Sequence, residues 1–377
     1  MISSKVKKIL VTGGAGFIGS FLVDALVKSG HRVTIYDNLE PQVHPKGIPP
    51  YLNKEAQFIK GDVRDYDNFK KVIVSNEIIY YLAAAVGVAQ SQYEIKRYVD
   101  VNIGGTSNLL DVLVNNKSSI EKIIVATSMT SYGEGKYLCK KCGDVRPGIR
   151  TENDVKKGWE PSCPVCKSDI TPAPTDENAA LNAHSIYSLT KMVQEEMILN
   201  IGKTYSIPAV ALRLFNVFGP RQSLSNPYTG VTAIFISRVK NNHEPVIFED
   251  GLQTRDFISV YDVVRVMEGI LETESANYGI FNIGGGKPIT IKDIARKIIN
   301  ALGKKDIQPK ITGKFRKGDI RHCYADIHKA QEILEFRPQV SFEGGLADLI
   351  AWAKDSTSED HFDRAAHELI KKKLVDS

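Results

Sequence analysis

The sequence predicts a doubly wound α/β fold, a parallel sheet covered by helices on both faces, followed by a smaller part that holds a substrate. Three observations predict it. Short unbroken apolar runs alternate with stretches of helical period through the first half of the chain. A glycine-punctuated turn joins the first run to the first helix, and the texture becomes loop-rich after Gly219-Pro220. Strands buried on both faces read as continuous apolar runs rather than as alternation, so the runs point to a parallel sheet.

In chain order, the first strand is expected at Lys8 to Thr12, a helix from Phe17 to Ser29, and strands at Val33 to Tyr36 and near Ile78 to Leu82. A helix from about Val101 to Val114 precedes a strand at Ile123 to Ala126, and a helix from Tyr187 to Ile201 precedes a strand at Val210 to Phe215. Repeated strand-helix units of this kind build a doubly wound sheet. The substrate-holding part follows, with short strands at Val246 to Phe248 and Gly279 to Ile283 and amphipathic helices at Ile291 to Leu302 and Ile327 to Leu334. The expected organisation is therefore a dinucleotide-binding domain over residues 1–218 and a mainly substrate-binding domain over 219–377, with part of 250–270 returning to the first. A chain of 377 residues is long enough to bury both cores. Between Gly133 and Pro174 a segment rich in Lys, Cys, Gly and Pro has no clear period and reads as an insertion, its body at 138–172.

Composition excludes some classes. With 42% hydrophobic residues and no apolar stretch of bilayer length, no membrane span is expected. The run Ile9 to Val11 is too short for a signal-peptide core and ends in glycines, so a cytoplasmic location is expected. The net charge of +5 comes from scattered residues and suits an anionic small substrate. Its only dense run, Lys371 to Lys373, lies on an amphipathic pattern (Phe362, Ala365, Ala366, Leu369, Ile370, Leu374) and reads as a solvated face. The interleaving of basic and aromatic residues that grips nucleic acid is not found, so no nucleic-acid partner is expected.

Gly13, Gly16 and Gly19 lie in the turn Thr12-Gly13-Gly14-Ala15-Gly16-Phe17-Ile18-Gly19, directly after a strand and opening a helix. Gly13 permits the tight turn, Gly16 lets the backbone approach a pyrophosphate, Gly19 allows close helix packing, and the helix N-terminus stabilises the anion. Asp37 ends the second strand, where a carboxylate accepts hydrogen bonds from a ribose diol and repels a 2′-phosphate. No arginine follows it, so NAD is expected rather than NADP. Asp62, in Gly61-Asp62-Val63 after a third strand, suits either the adenine or the N-cap of a helix.

Tyr187 and Lys191 stand four apart on one helical face, so an ammonium can lower the phenol pKa and make tyrosinate a base. Tyr66 with Lys70, Tyr132 with Lys136 and Tyr137 with Lys141 share the spacing. Only Tyr187 begins a long helix after a strand ending in hydroxyls, Thr127-Ser128. Ser128 to orient a substrate oxygen, Tyr187 to take its proton and Lys191 to tune the phenol form a hydride-transfer set. The competing reading is a structural tyrosine beside a surface lysine.

With these motifs the chain resembles the extended short-chain dehydrogenase/reductases, in the nucleotide-sugar epimerase and dehydratase group, over nearly its whole length. The matching stretches include Asn102-x2-Gly105-Thr106, Leu212 through Pro220, Gln253-x-Arg255-Asp256-Phe257, Asn282-Ile283-Gly284 and Gly318-Asp319-x-Arg321. Many relatives carry His-Leu-Ala-Ala after the fourth strand, where this chain has Tyr81-Leu82-Ala83-Ala84. The resemblance implies a cofactor set of Gly13, Gly16, Phe17, Ile18, Gly19, Asp37, Asn38, Asp62, Val63, Leu82, Ala83, Ala84, Asn102, Tyr187 and Lys191. It implies a nucleotide-diphosphate sugar as partner, with Asn216 at the diphosphate, Arg255 and Arg316 pairing with its charges, Asp319 near the nucleotide and Ser128 at the sugar. Each arginine taken singly also reads as a surface ion pair. His184, in the loop before Tyr187, is left unassigned. A homodimer through the helix after Asn102 and the Tyr187 helix is implied in the same way.

Relatives that dehydrate the sugar carry Asp-Glu after the catalytic hydroxyl, decarboxylating ones a Glu two positions on, and 3,5-epimerising ones a Cys nearby. This chain has Met129-Thr130. What remains is oxidation at C4 and hydride return to the opposite face, a 4-epimerase. Ala126 through Gly135 with the cysteine segment, Arg221 through Gly230, and Gly318 through Cys323 resemble the group interconverting dTDP-L-rhamnose and dTDP-6-deoxy-L-talose. UDP-hexose 4-epimerisation (UDP-glucose or UDP-N-acetylglucosamine) and NADH-dependent 4-keto-sugar reduction are the rival activities, and a silent dinucleotide-sensing scaffold is the non-enzymatic one.

Four of the five cysteines, Cys139-x2-Cys142 and Cys163-x2-Cys166, have paired-knuckle spacing, while Cys323 stands alone. Four thiolates close a tetrahedral site, which suits structural Zn2+ in a segment too small to hold a core. Disulfides, an iron centre and unliganded thiols are the alternatives.

Overall fold

A computed structural model describes residues 5–228 and 230–375. The first four residues, the last two, and Thr229 of the stretch after Arg221 lie outside the described residues. Seven parallel strands form the central sheet, in the spatial order Ile280–Ile283, Ala209–Leu214, Lys122–Ser128, Ile78–Tyr81, Lys8–Thr12, Arg32–Asp37 and Gln57–Lys60. The first strand pairs with both the second and the fourth in sequence, Thr12 lying opposite Tyr36 on one side and Tyr81 on the other. The strand order reverses there, and a crevice opens at such a point above the carboxyl ends of the strands.

Alternation along each strand supplies both faces. Ile9, Val11, Val33, Ile35, Ile124 and Leu212 pack on one side with Leu22 and Leu26 of the helix Phe17–Lys28 and Val263 and Met267 of the helix Val260–Gly269. Leu10, Ile79, Ile123 and Val125 face the other way, against Phe69, Leu109, Val112, Ile198 and Leu199 from helices Tyr66–Ile73, Gly105–Asn115 and Ile186–Thr204. This is the doubly covered parallel sheet that the apolar runs require.

Two elements differ from the sequence expectation. Gly279 to Ile283, assigned above to the substrate-holding part, instead provides the edge strand Ile280–Ile283 of the central sheet, Phe281 lying opposite Leu212. Its buried Phe281 and Ile283 complete the first core, and helix His328–Leu334 covers it, so the return to the sheet runs well beyond 250–270. The helix expected from Val101 opens as a wide π turn, Val99–Gly104, before regular helix begins at Gly105.

The remaining part has its own core, in which Phe218, Phe235, Ile236, Ile294, Ile298, Phe342, Leu346 and Leu349 join helices Val231–Lys240, Ile291–Ala301 and Phe342–Asp355. The insertion folds as a three-stranded antiparallel sheet of Lys136–Cys139, Gly143–Val145 and Thr171–Ala173. Its only apolar cluster is Tyr137, Cys139, Val145 and Cys163, with Cys166 and Ile170 against it. Among the described residues no helix is long and apolar enough to cross a membrane.

Candidate active site

The glycines of the first turn do separate jobs. Gly13 has φ of +70°, and a methyl group there would come within 2.9 Å of the Ala83 nitrogen. At Gly19 a methyl would sit 2.2 Å from the Gly13 carbonyl oxygen, so the helix can lie on the turn only with glycine at that position. Gly16 is open apart from that same oxygen at 3.2 Å, and as N-cap it leaves the helix start without a side-chain cap or an acidic residue. Uncapped N–H groups above a strand-order reversal, with Phe17 and Ile18 opening the helix, fit a dinucleotide pyrophosphate.

Asp37, buried at its strand end, accepts from the backbone N–H of Ala15 at 3.0 Å through one oxygen and of Leu39 at 2.8 Å through the other. The turn is thereby tied to the second strand, and each oxygen keeps a lone pair for a ribose hydroxyl. Asn38 donates to Asp62 at 2.9 Å, and Arg64 grips the same carboxylate from Nε at 2.8 Å and Nη2 at 2.7 Å. The Arg64 hydrogen bonds bring the Asp62 pKa down to about 2. Asp62 is not a helix cap: Asp65 caps Tyr66–Ile73, accepting from Asn68. Val63 is buried in the second core beside Gly105.

Thr12, which the sequence reading did not single out, holds the floor: its hydroxyl accepts from the N–H groups of Leu82 at 3.1 Å and Ala83 at 3.2 Å, fixing the start of Leu82-Ala83-Ala84. Asn102 stands in the π turn before helix Gly105–Asn115. It is fully enclosed, accepts from Ala85 N–H at 2.8 Å, and donates to the Ala85 carbonyl at 3.1 Å and the Thr190 hydroxyl at 2.9 Å. It positions the wall after the fourth strand against the Tyr187 helix.

Ser128 ends its strand and caps the short turn Met129–Tyr132, accepting from the Thr130 hydroxyl at 2.9 Å. Ser185 caps the helix Ile186–Thr204 through a reciprocal pair with Ser188, which sets Tyr187 in the first turn. Burial pushes the Tyr187 phenol up to about 12, and its hydrogen bond with Ser128 works in the other direction. Lys191 donates to the Ala126 carbonyl and to Gln194, each at 2.7 Å, and burial brings its pKa down to about 7. The Lys191 hydrogen bonds thus run to the Ala126 strand and to Gln194 rather than to the phenol, and burial works against its charge.

Beneath this triad is a buried pair that sequence reasoning missed. Arg213 contacts Glu195 from Nε at 3.0 Å and Nη2 at 2.5 Å and donates to the Tyr132 hydroxyl at 2.8 Å, while Thr127, next to Ser128, donates to Glu195 at 2.9 Å. The available signal was a lone cation in the apolar strand Ala209–Leu214, which demands a buried partner.

A cavity of about 280 Å³ adjoins the triad. Asn216, Arg255, Arg316 and Asp319 all line it, with Met129, Thr130 and His184 on the triad side. Asn216 Oδ1 and His184 Nε2 are buried without partners, orphaned atoms of the kind a polar ligand satisfies. Asp319 joins both arginines, to Arg255 Nη2 at 2.9 Å and Arg316 Nη2 at 2.9 Å. Burial alone would raise the Asp319 carboxyl, but the charges of Arg316 and Arg255 hold it below its ordinary range. Arg255 spends its Nη groups on Asp319 and on the carbonyls of Thr254, Ile320 and Arg321, so Arg316 is the more open of the two. Ala365, Ala366 and Leu369 of the terminal helix Phe362–Lys371 form the opposite wall, a role the sequence reading did not foresee.

In the insertion the four sulfurs of Cys139, Cys142, Cys163 and Cys166 lie within 4.8 Å of one another, Cys139 and Cys166 at 3.6 Å. A tetrahedral centre with bonds of about 2.3 Å spaces its sulfurs about 3.8 Å apart, so the cluster fits a metal of that geometry. Cys323 is buried elsewhere, beside Thr175.

Two family models match the chain, one described as the NAD dependent epimerase/dehydratase family over residues 9–154 and one as GDP-mannose 4,6 dehydratase over residues 169–349. A dTDP-L-rhamnose 4-epimerase of Burkholderia thailandensis is 36% identical over 354 residues, which is 92% of this chain and 94% of that protein. The chain belongs to the NAD-dependent epimerase/dehydratase family. A putative UDP-glucose 4-epimerase of Methanocaldococcus jannaschii is 34% identical across 92% of this chain and 99% of that one. The crystal structure of a UDP-glucuronic acid 4-epimerase from Bacillus cereus, in complex with UDP-glucuronic acid and NAD, superposes with a TM-score of 0.74 at 29% identity, covering 92% of this chain and 99% of that one. Within this family the chain is an NAD-dependent sugar-nucleotide epimerase.

Proposed function

We propose that this family member inverts C4 of a dTDP-linked 6-deoxyhexose, interconverting dTDP-L-rhamnose and dTDP-6-deoxy-L-talose. The observation that carries the 4-epimerase reading is the turn after Ser128: Met129 and Thr130 face the cavity where dehydration or decarboxylation would need acid and base groups. Only proton handling at one hydroxyl is left to the protein. When bound, NAD supplies the acceptor and donor of the C4 hydride. Ser128 orients the sugar oxygen, Tyr187 takes its proton and later returns it, and Lys191, four residues on along the same helix, tunes the phenol. Asn216 and Arg316 receive the diphosphate, since a guanidinium fork matches phosphate oxygens.

The 6-deoxy sugar is favoured by the 36% identical relative and by apolar Met129 on the triad side of the cavity, suited to a methyl group. The Methanocaldococcus relative supports a UDP-hexose instead. A panel of dTDP-L-rhamnose, UDP-glucose, UDP-N-acetylglucosamine and GDP-mannose, followed by NMR at C4, tests the assignment. Turnover of dTDP-L-rhamnose is expected, and turnover of a UDP-hexose alone would overturn the substrate while keeping the mechanism.

The cysteine cluster takes one structural zinc per chain. Elemental analysis finding no metal in freshly prepared protein would remove it. The chain forms a homodimer through the open groove between helices Gly105–Asn115 and Ile186–Thr204, where Leu110, Val114, Met197, Ile201 and Tyr205 offer apolar surface. A monomer in light scattering at micromolar concentration would contradict this.

A further inference from the structure

The four-cysteine insertion takes no part in proton or hydride transfer, yet its polar side chains reach one place. Arg150 is buried with its fork on Glu249, at 2.7 Å from Nη2 and 3.0 Å from Nη1, and it touches the Asp319 carbonyl at 3.3 Å. Its guanidinium also lies 5.7 Å from the centre of the Phe315 ring. Glu160 binds Arg321 Nε at 2.8 Å and His322 Nε2 at 2.9 Å, and Glu152 pairs with Lys317 at 2.8 Å. Just before the insertion, Glu134 accepts from the backbone N–H groups of Arg321 at 2.8 Å and His322 at 2.7 Å. Apart from Glu249, which itself accepts from Arg321 Nη1 at 2.8 Å, these anchors fall on residues 315–322, a stretch that is irregular up to the short strand at His322, carries Arg316 and Asp319, and turns through Gly318 at φ of +80°.

A loop with little regular hydrogen bonding is placed by whatever holds its side chains. We infer that the insertion is a clamp, in which Arg150 and Glu160 are positioning residues that hold the Arg316–Asp319 loop in place for the diphosphate of the substrate. The inference rests on the nucleotide-sugar reading above and adds to it the source of affinity. Neither Arg150 nor Glu160 lines the cavity, and their hydrogen bonds go to Trp159, Glu249, Asp319, Arg321 and His322 rather than to the triad, so they act on binding and leave the triad alone. Misplacing a phosphate-binding group by an ångström costs about ten- to a hundredfold.

The test is calorimetric binding of dTDP and of UDP to the full-length protein with its bound NAD, beside steady-state kinetics. Arg150→Met and Glu160→Gln should each weaken nucleotide binding by about ten- to a hundredfold and raise KM while kcat and NAD content hold. Arg150→Lys, which keeps the charge and loses the fork, should fall between Arg150→Met and wild type. A merely structural role would lower kcat through the active fraction and leave KM alone, and that result would overturn the clamp. Should Arg150→Met not fold, Glu160→Gln still decides, because the Glu160 side chain is 54% exposed and its loss opens no core. Unchanged nucleotide affinity in folded Glu160→Gln sinks the proposal. Wild-type protein that binds neither dTDP nor UDP fails at the nucleotide-sugar reading itself, and the clamp falls with it.

Discussion

Lys191 is the residue where burial and charge conflict most directly. Its pKa of about 7 in the fold lies below its ordinary 10.5, so between these values the unfolded chain binds more protons than the native one. Stability contributed through this group therefore rises with pH across that window. Cofactor-free wild-type protein should gain stability relative to Lys191→Met from pH 7 to 10, with a limiting slope of about 1.4 kcal/mol per pH unit. Denaturant melts at several pH values measure this, and a constant difference would mean that the ammonium stays charged. Tyr187 is under the opposite pressure, with burial holding its phenol near about 12 and Ser128 drawing it down. Tyr187→Phe should keep bound NAD and lower kcat by about 10²- to 10⁴-fold, read from turnover and from absorbance of the released cofactor. The spacing of Tyr187 and Lys191 was legible in the sequence as a shared helical face. The direction of the lysine was not, because its acceptors come from the Ala126 strand and from Gln194, one turn further along the helix.

At the scale of elements, the glycine turn separates what folding requires from what binding requires. A methyl at Gly19 meets the Gly13 oxygen at 2.2 Å and the Gly14 Cα at 2.8 Å, both backbone atoms that cannot yield cheaply. Gly19→Ala should destabilise the protein by about 1–3 kcal/mol and reduce NAD retention, whereas Gly16→Ala should cost the fold much less. Thermal melts with cofactor quantitation distinguish the two, and equal stability losses would contradict the division of roles. Most strands of the central sheet could be read as apolar runs because a parallel strand buries both faces. Ile280–Ile283 looked identical, but a four-residue run carries no information about which sheet it joins, and its partner Ala209–Leu214 lies far back in the chain. In the insertion the strands are three or four residues long, too short for any period to emerge, so only the cysteine spacing was visible.

Across the whole molecule, the neighbours of the triad (Met129, Thr130, Ser185 and Ser188), the arginine loop and the terminal helix come from distant parts of the sequence and meet around one cavity. The triad and the loop could be named residue by residue from their motifs. The wall formed by Ala365, Ala366 and Leu369 could not, since an apolar stripe on a helix shows that something is covered without showing what. The cavity next to Met129, Thr130 and Ser188, close in sequence to Ser128 and the buried Tyr187, supports a cycle in which the sugar gives up its C4 hydride and takes the same one back. That central claim is tested most directly with dTDP-L-rhamnose carrying deuterium at C4, incubated in ordinary water with the protein as purified and no added NAD. The product with inverted C4 should retain the deuterium at C4. Exchange of the label for solvent hydrogen, or product formed only with stoichiometric added NADH, would contradict the account.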